Sequence, residues 1–506
     1  ATIDPESTFF ATVFIEHAGT VAAEGSDGDL WPTCWADDGN VYTSNGDGRG
    51  FSEEQFRDVV FNRIDGAPED GLTGEKLSEA EEIGPIWGDP EQYNRKPTGL
   101  VCAEGVLYLA MQDLKKEENP FDEAPTASIS RSEDYGRTWS ATDEPMFPDH
   151  RFTTIFFLDF GKNNENATVA LGEEDGAYVY AYGLDWNWRP SVTGLVPDPV
   201  SVYLARVPTD AVQDRSKWVF FTGTDGDGSP GWSEQIEDKA PVLTDMLRRY
   251  VDLHPDKNGG LPVIGQGGVL YNPALERYIF TSCTNPSFEF YESPTPWGPW
   301  KRFFYHNTGL VEWYPMNSTE HPPKNGGYGT TIPAKYVSDD GQDMWVQSNW
   351  WEGETPEPHQ NYNFNLRRLR VAPFQSGQRA RNRSDGSQNL ARTGADVTPI
   401  QVCAHNANID YLNDDDRSRS EHSLDGTYKR VDFWGYTFSE PYRMNRVEYT
   451  TGTMDDDGGW FTPHDGGLRV QVRQEHEWVD GVRIIGAPGG RRAYTSIAEL
   501  EVYFGG

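Results

Sequence analysis

One phrase recurs five times along this chain: a polar turn, then a short run rich in aromatic and aliphatic residues that ends in polar ones. It reads ADDGNVYTSNGD at 36–47, AEGVLYLAMQD at 103–113, EEDGAYVYAYG at 173–183, NPALERYIFTS at 272–282 and SDDGQDMWVQSNWW at 338–351. With Tyr42, Tyr108, Tyr178, Tyr278 and Trp345 as equivalent positions, the steps are 66, 70, 100 and 67 residues. Each step is long enough for one four-stranded antiparallel sheet with generous loops. Such sheets bury both faces only when they stack radially on one another. The repeat therefore predicts a five-bladed β-propeller over residues 1–374, with the long step absorbing a loop-rich stretch from Gly183 to Asp256.

Composition agrees with an all-β chain. Aromatic residues make up 13%, and 52 Gly and 34 Pro among 506 residues suit many short strands and tight turns. Only Pro241 to Val251 (PVLTDMLRRYV) has helix-like spacing of apolar residues. Ser132 to Trp139, SEDYGRTW, has the S-x-D-x-G-x-T-W form of the Asp-box turn of sialidase-like propellers. Its Asp and Gly make the turn and its Trp packs beneath, so its role is structural.

A polar Gly/Ser/Arg-rich stretch at 375–388 reads as a linker, and a second domain is expected over 389–506, a small antiparallel β-sandwich. The four cysteines, Cys34, Cys102, Cys283 and Cys403, show no C-x-x-C spacing, and buried free thiols are expected ahead of a disulfide. A formal charge of −37 repels nucleic acid and anionic membrane surfaces, so neither is an expected partner. No apolar run is long enough to span a bilayer. The opening ATIDPESTFF has no basic start or apolar core, so the chain is expected to be an exported protein whose signal peptide is already absent.

Inner strands of a propeller present their ends to a central pocket, and the first repeat is the richest in carboxylates there. Residues 28–50, GDLWPTCWADDGNVYTSNGDGRG, hold Asp29, Asp37, Asp38 and Asp47. Asp37 and Asp38 precede Gly39-Asn40 and read as turn residues. Asp29 and Asp47 flank the two strands that this turn joins, which puts both at the distal end of one hairpin. Two carboxylates so placed can flank a sugar bond as acid and base, or they can be ordinary solvated loop aspartates. Candidates for the pocket wall are Trp31, Asn45, Lys96, His150, Arg151, Asn272, Lys335 and Trp350, each with an alternative reading as a packed or ion-paired strand-end residue.

The pattern G-D-x-W-P-x-x-W-A-D-D-G-x-x-Y-x-x-x-G-D-G resembles the secreted five-bladed propellers that carry a domain of unknown function and include microbial endo-D-arabinanases. Further phrases match across the propeller, among them FNRIDGAP (61–68), KPTGLVCAEGVLYL (96–109), LARVP (204–208), LYNPALERY (270–278), PWGPW (296–300) and IPAKYVSDDG (332–341). The resemblance implies catalytic roles for Asp29 and Asp47. Cys34 stands where relatives more often carry Thr or Ser, a difference that concerns packing. In the tail, NLARTG (389–394), YRMNRVEYTTG (442–452) and YTSIAELEVYF (494–504) resemble the coagulation-factor type-C or discoidin family, a jelly-roll. That resemblance implies glycan binding and a structural calcium ion; a plain packing role is the alternative.

The expected activity is hydrolysis of an α-furanosidic, D-arabinan-like bond by Asp29 and Asp47, one protonating the leaving oxygen and the other activating water, with inversion and without a required cofactor. A polysaccharide or oligosaccharide is the expected partner. Two rivals stand beside it: a polysaccharide lyase that uses His150, Arg151, Lys96 and Lys335 against a uronate, and a glycan-binding protein without turnover.

Overall fold

The computed structural model describes residues 7, 9–15, 21–116, 121–191, 194–249, 260–284, 287–307, 327–350, 363–373, 389–392, 397–401, 412–422, 432–452, 454–455, 460–461, 469–486 and 495–503. By contact the chain divides into two units. One spans Ala1–Ser7, Gly19–Gly309 and Gly326–Leu369; the other spans Thr8–Ala18, Leu310–Asn325 and Arg370–Gly506. The expected linker at 375–388 lies outside the described residues.

The first unit is built of five antiparallel blades. Blade 1 holds Asp27–Asp29, Thr33–Trp35, Val41–Gly50, Arg57–Ala67 and Gly71–Glu79. Blade 2 holds Tyr93–Ala103, Val106–Lys115 and Thr126–Ser132. Blade 3 runs Thr154–Asp159, Tyr178–Leu184, Ser201–Pro208 and Val219–Thr224, and blade 4 runs Val269–Asn272, Arg277–Cys283, Ser287–Ser293 and Lys301–Asn307. Blade 5 holds Gly327–Thr331, Asp343–Trp350 and the part of Asn365–Pro373 up to Leu369. The five repeated aromatic positions fall one to a blade, as the spacing predicted, and each lies in its blade's second strand. The long step contains the additional strands Pro230–Ser233 and Pro241–Thr244 of blade 3.

Contacts between successive blades close a ring. Arg95 N–H donates to Asp58 across blades 2 and 1 (3.0 Å), and Thr154 Oγ1 donates to Gln112 Oε1 across blades 3 and 2 (2.7 Å). Leu158 pairs parallel with Val269, and Gly267 pairs parallel with Thr330, which joins blades 3 to 4 and 4 to 5. Leu30 N–H donates to Asn349 Oδ1 (2.8 Å), and Val21 pairs with Leu366, which returns blade 5 to the start. A narrow cavity on the axis is lined from all five blades, by Pro32, Thr98, Phe156, Gly268 and Thr331 among others.

Period-2 alternation supplies the core. In blade 2, Leu107, Leu109 and Met111 pack with Tyr42 and Phe61 of blade 1, whereas Tyr108 and Ala110 pack with Phe157 and Val179 of blade 3. A strand buried on both faces is apolar at nearly every position, which is why these phrases read as continuous runs.

Two expectations are corrected. Cys34 and Cys102 form a disulfide that links the inner strands of blades 1 and 2, with Cα atoms 5.5 Å apart, and Cys283 is a buried thiol outside any disulfide. The two cysteines are 68 positions apart and share no local motif, so ring packing brings them together. Pro241 to Val251 is not helical where described: Pro241–Thr244 and Arg248–Arg249 are strands. A helix does occur at Ala167–Asp175, where Val169 is exposed and Gly172 has a left-handed φ of 81°. It carries no apolar stripe that would signal it.

The Asp-box behaves as a staple. Asp134 accepts from Thr138 N (2.8 Å) and Thr138 Oγ1 (2.7 Å), while the Trp139 indole donates to Ser78 of blade 1 (2.9 Å) and meets Phe61 edge-on.

The second unit contains an antiparallel sheet whose long strand Asp432–Thr451 pairs with Arg469–Gly486 on one edge. On its other edge it pairs first with Val397–Gln401 and then with Ser496–Tyr503. Register shifts between Thr437 and Tyr442 and between Met444 and Arg446 mark where the strand bends. Residues from both halves share one core, including Trp434, Tyr436, Met444, Leu500 and Val502.

Candidate functional site

Strand polarity sorts the candidates by face. The inner strands of blades 3, 4 and 5 run parallel to one another, so their N-terminal ends lie on one face. The C-terminal ends of the second strands lie there too, because each second strand is antiparallel to its inner strand. Asp29, Lys96, Gln266 and Tyr328 sit at or beside inner-strand starts, and Asp47 sits near the end of a second strand. Asn272 ends an inner strand and Lys335 follows one, so both lie on the opposite face. There Asn272 is fully buried and donates to Gly341 O (2.9 Å), and Lys335 Nζ donates to Gly39 O (2.8 Å), so both are structural.

On the first face, Asp29 ends the strand Asp27–Asp29 and pairs in register with Gly46, the residue before Asp47. A Cβ on residue 46 would lie 2.6 Å from Asp29 Oδ1 and 3.5 Å from Lys96 Nζ, so the close approach of these groups requires glycine. Asp47 itself has a left-handed φ of 30°, strained for a non-glycine residue. Its carboxylate is half-buried and ion-paired with Lys96 Nζ, whose side chain is 2% exposed.

Asp29 is 5% exposed. Tyr328 OH donates to its Oδ2 (2.9 Å), and Oδ1 has no hydrogen-bond partner. Burial pushes this carboxyl up to about 6; Lys96 opposes the shift, the Asp47 charge adds to it, and the Tyr328 hydrogen bond opposes it. One free oxygen on an acid that titrates near neutrality is the arrangement a proton donor needs. Burial also raises the propeller carboxyls of Asp113, Glu292 and, to about 7, Asp159, but Asp113 accepts from Trp87 and Gly88 N–H, Glu292 accepts from Ser7 Oγ, and Asp159 ends an inner strand on the opposite face and accepts from Gly161 N–H (2.7 Å).

The remaining candidates are placed as follows. Asn45 is fully buried and ties the loop by donating to Asp27 O and Gly46 O and accepting from Asn62. Trp31, expected at the pocket wall, is fully buried, donates to Gly28 O (2.8 Å) and packs against Phe51 and Phe364, so it offers a sugar no surface. His150 Nε2 lies 2.9 Å from Glu123 and the ring stacks on Trp186; Arg151 pairs with Glu237. Trp350 ends the second strand of blade 5 on this face.

Sequence reasoning missed Tyr328 and Asn349. Asn349 accepts from Leu30 N–H and donates to Gly28 O (3.3 Å), and so holds the backbone around Asp29. Tyr328 lies within GGYG (326–329), in the inner strand of blade 5, one strand before the fifth phrase. Among the described residues, no group of three or more His, Cys, Asp or Glu is placed to hold a metal ion, and no helix is long and apolar enough to cross a membrane.

No curated protein matches the sequence. Several solved structures overlap the chain at low identity. A putative hydrolase from Bacteroides ovatus is 12% identical, with 72% of this chain and 93% of that one covered and a TM-score of 0.42. A GH43_1 enzyme from Xanthomonas citri, complexed with xylotriose, is 12% identical over 71% and 90%, at 0.37. The native arabinanase Arb43A from Bacillus subtilis is 9% identical over 69% and 95%, also at 0.37. Overlaps this loose carry no argument about activity. Residues 27–366, from the first inner strand of blade 1 into blade 5, match the family model described as Domain of unknown function (DUF4185), and the chain belongs to that family.

Proposed function

We propose that this face of the propeller hydrolyses a glycosidic bond, with Asp29 as general acid and Asp47 as the base that activates water. The observation that carries the reading is the buried Asp29 carboxyl, raised to about 6 and left with a free Oδ1, beside a second carboxylate held by Lys96. Two carboxyl groups in unlike environments are how one site supplies both acid and base.

In the proposed step, Asp29 protonates the leaving oxygen as the bond to the anomeric carbon breaks. Water adds to that carbon and gives its proton towards Asp47. The ion pair with Lys96 holds the Asp47 carboxylate in place, and inversion is the proposed stereochemical outcome. Tyr328 holds Asp29 Oδ2, so Oδ1 is the oxygen that delivers the proton. Such acid–base help is worth about a hundred- to ten-thousandfold.

An α-furanosidic, D-arabinan-like substrate is the finer proposal, supported by the resemblance of the first-blade motif to the propellers that include endo-D-arabinanases. The cationic set that a lyase needs is dispersed: Lys96 is committed to Asp47, Arg151 to Glu237, and Lys335 lies on the opposite face. The Cys34–Cys102 disulfide supports an oxidising, extracellular setting. Glycan binding by the second unit is proposed on its discoidin resemblance alone.

The test is reducing-sugar release from D-arabinan, L-arabinan, a galactan and a uronic polymer, with wild type beside Asp29→Asn and Asp47→Asn, and proton NMR of the first product anomer. Release from one polymer, abolished in both folded variants, supports the reading. Variants as active as wild type would remove the two aspartates from the mechanism.

A further inference from the structure

Few large apolar side chains are exposed among the described residues, and two of them stand beside the Asp47–Lys96 pair or the loops next to it: Phe121, 36% exposed, and Trp186, 40% exposed. The Phe121 ring centroid lies 6.0 Å from Lys96 Nζ. Trp186 stacks at 4.2 Å and 18° on His150, so one face of its indole is covered and the other is left to solvent.

These rings are held rather than loose. Phe121 N–H donates to Lys115 O (2.7 Å), and Phe121 O accepts from the Trp188 indole (2.8 Å). Trp186 N–H donates to His150 O (2.9 Å), its carbonyl accepts from Ala124 N–H (2.8 Å), and His150 N–H donates to Pro125 O (3.0 Å). The same Trp188 meets Tyr328 edge-on at 5.8 Å, which ties this loop cluster to the hydrogen-bond partner of Asp29. Phe121, His150 and Trp186 all have left-handed backbones, with φ of 60°, 61° and 70°. Left-handed backbone at bulky residues is uncommon and costly, and it clusters where a ligand is gripped.

Resting on the hydrolase reading above, we propose that Phe121 and the Trp186–His150 stack form a glycan-binding strip on the blade 2–3 side of the cleavage pair. One sugar ring lies on Phe121 and a further one on the open face of Trp186. The substrate is therefore a chain that continues past the scissile bond on that side, not a single terminal sugar on a small leaving group. Sugars suit these rings because each furanose or pyranose presents a C–H face to an aromatic surface, while its hydroxyls remain free for water. His150, pinned by Glu123, fixes the tilt of the Trp186 indole.

The experiment compares wild type, Phe121→Ala, Trp186→Ala and Trp186→Phe in three assays: turnover of D-arabinan, turnover of 4-nitrophenyl α-D-arabinofuranoside, and retardation of each protein in native gels cast with D-arabinan. The gel variants carry Asp29→Asn, so that retardation reports binding without cleavage. Each Ala variant is expected to lose about tenfold in kcat/KM on the polymer, mostly through KM, with a loss at least several-fold smaller on the aryl glycoside. Retardation falls in parallel, and Trp186→Phe recovers most of both. Equal losses on both substrates, or retardation unchanged by either Ala substitution, would overturn the strip and leave the acid–base reading in place. A wild type that neither cuts nor binds D-arabinan would overturn the substrate reading, and the strip with it.

Discussion

Asp29 shows at single-residue scale what the site asks of the fold. Its carboxyl is held near 6 rather than at the ordinary 3.8, so the folded protein binds its proton more tightly than the unfolded chain does. Stability is therefore fully present below about 4 and declines as pH rises through 6, by roughly 3 kcal/mol. Asp29→Asn is expected to raise the unfolding midpoint at pH 7 by a few degrees and to lose that advantage at pH 4, as calorimetry at the two values would read. Catalysis should follow the same proton, with kcat/KM falling above about pH 6. Tyr328→Phe removes a hydrogen bond that lowers the Asp29 value, so the alkaline limb should move to higher pH while the protein stays folded. An unmoved limb would mean that another group sets it. The spacing of Asp29 and Asp47 about one hairpin was legible in the sequence; Tyr328 was not, because 299 residues separate it from Asp29 and only ring closure brings them together.

At the scale of strands and turns, the repeated phrase marked the second strand of each blade because period-2 burial on both faces leaves an apolar run that survives in sequence. Turn chemistry was equally plain: Asp38 accepts from Asn40 N–H (2.9 Å) in the turn its neighbours suggested. Pro241 to Val251 misled because its apolar pairs at 242–243, 246–247 and 250–251 recur at helical spacing, although Pro241–Thr244 pairs as a strand with blade 3. The disulfide escaped notice for the opposite reason, since nothing local announces it. It closes a 68-residue separation, and in the chain-entropy account such a link is worth about 4 kcal/mol. Cys34→Ser with Cys102→Ser should lower the denaturant midpoint accordingly, and a midpoint indifferent to the pair would show that packing between blades 1 and 2 suffices.

For the whole molecule, a formal charge of −37 on 506 residues means that self-repulsion opposes the compact state at low ionic strength. Thermal unfolding should therefore shift upward as sodium chloride is raised from millimolar to about 0.5 M. Composition argued against nucleic acid and anionic membrane surfaces and pointed to an all-β chain, but it was silent on which face carries the chemistry. That answer needed strand polarity. The parallel inner strands gather Asp29, Lys96, Gln266 and Tyr328 from four blades onto one face, while Asn272 and Lys335 go to the other. Because the site is shared out around the ring, no blade owns it. A protease nick or a local opening that lets any one blade drift would separate an aspartate from its lysine or its tyrosine. Inactivation should thus precede, and never lag behind, the loss of the circular architecture.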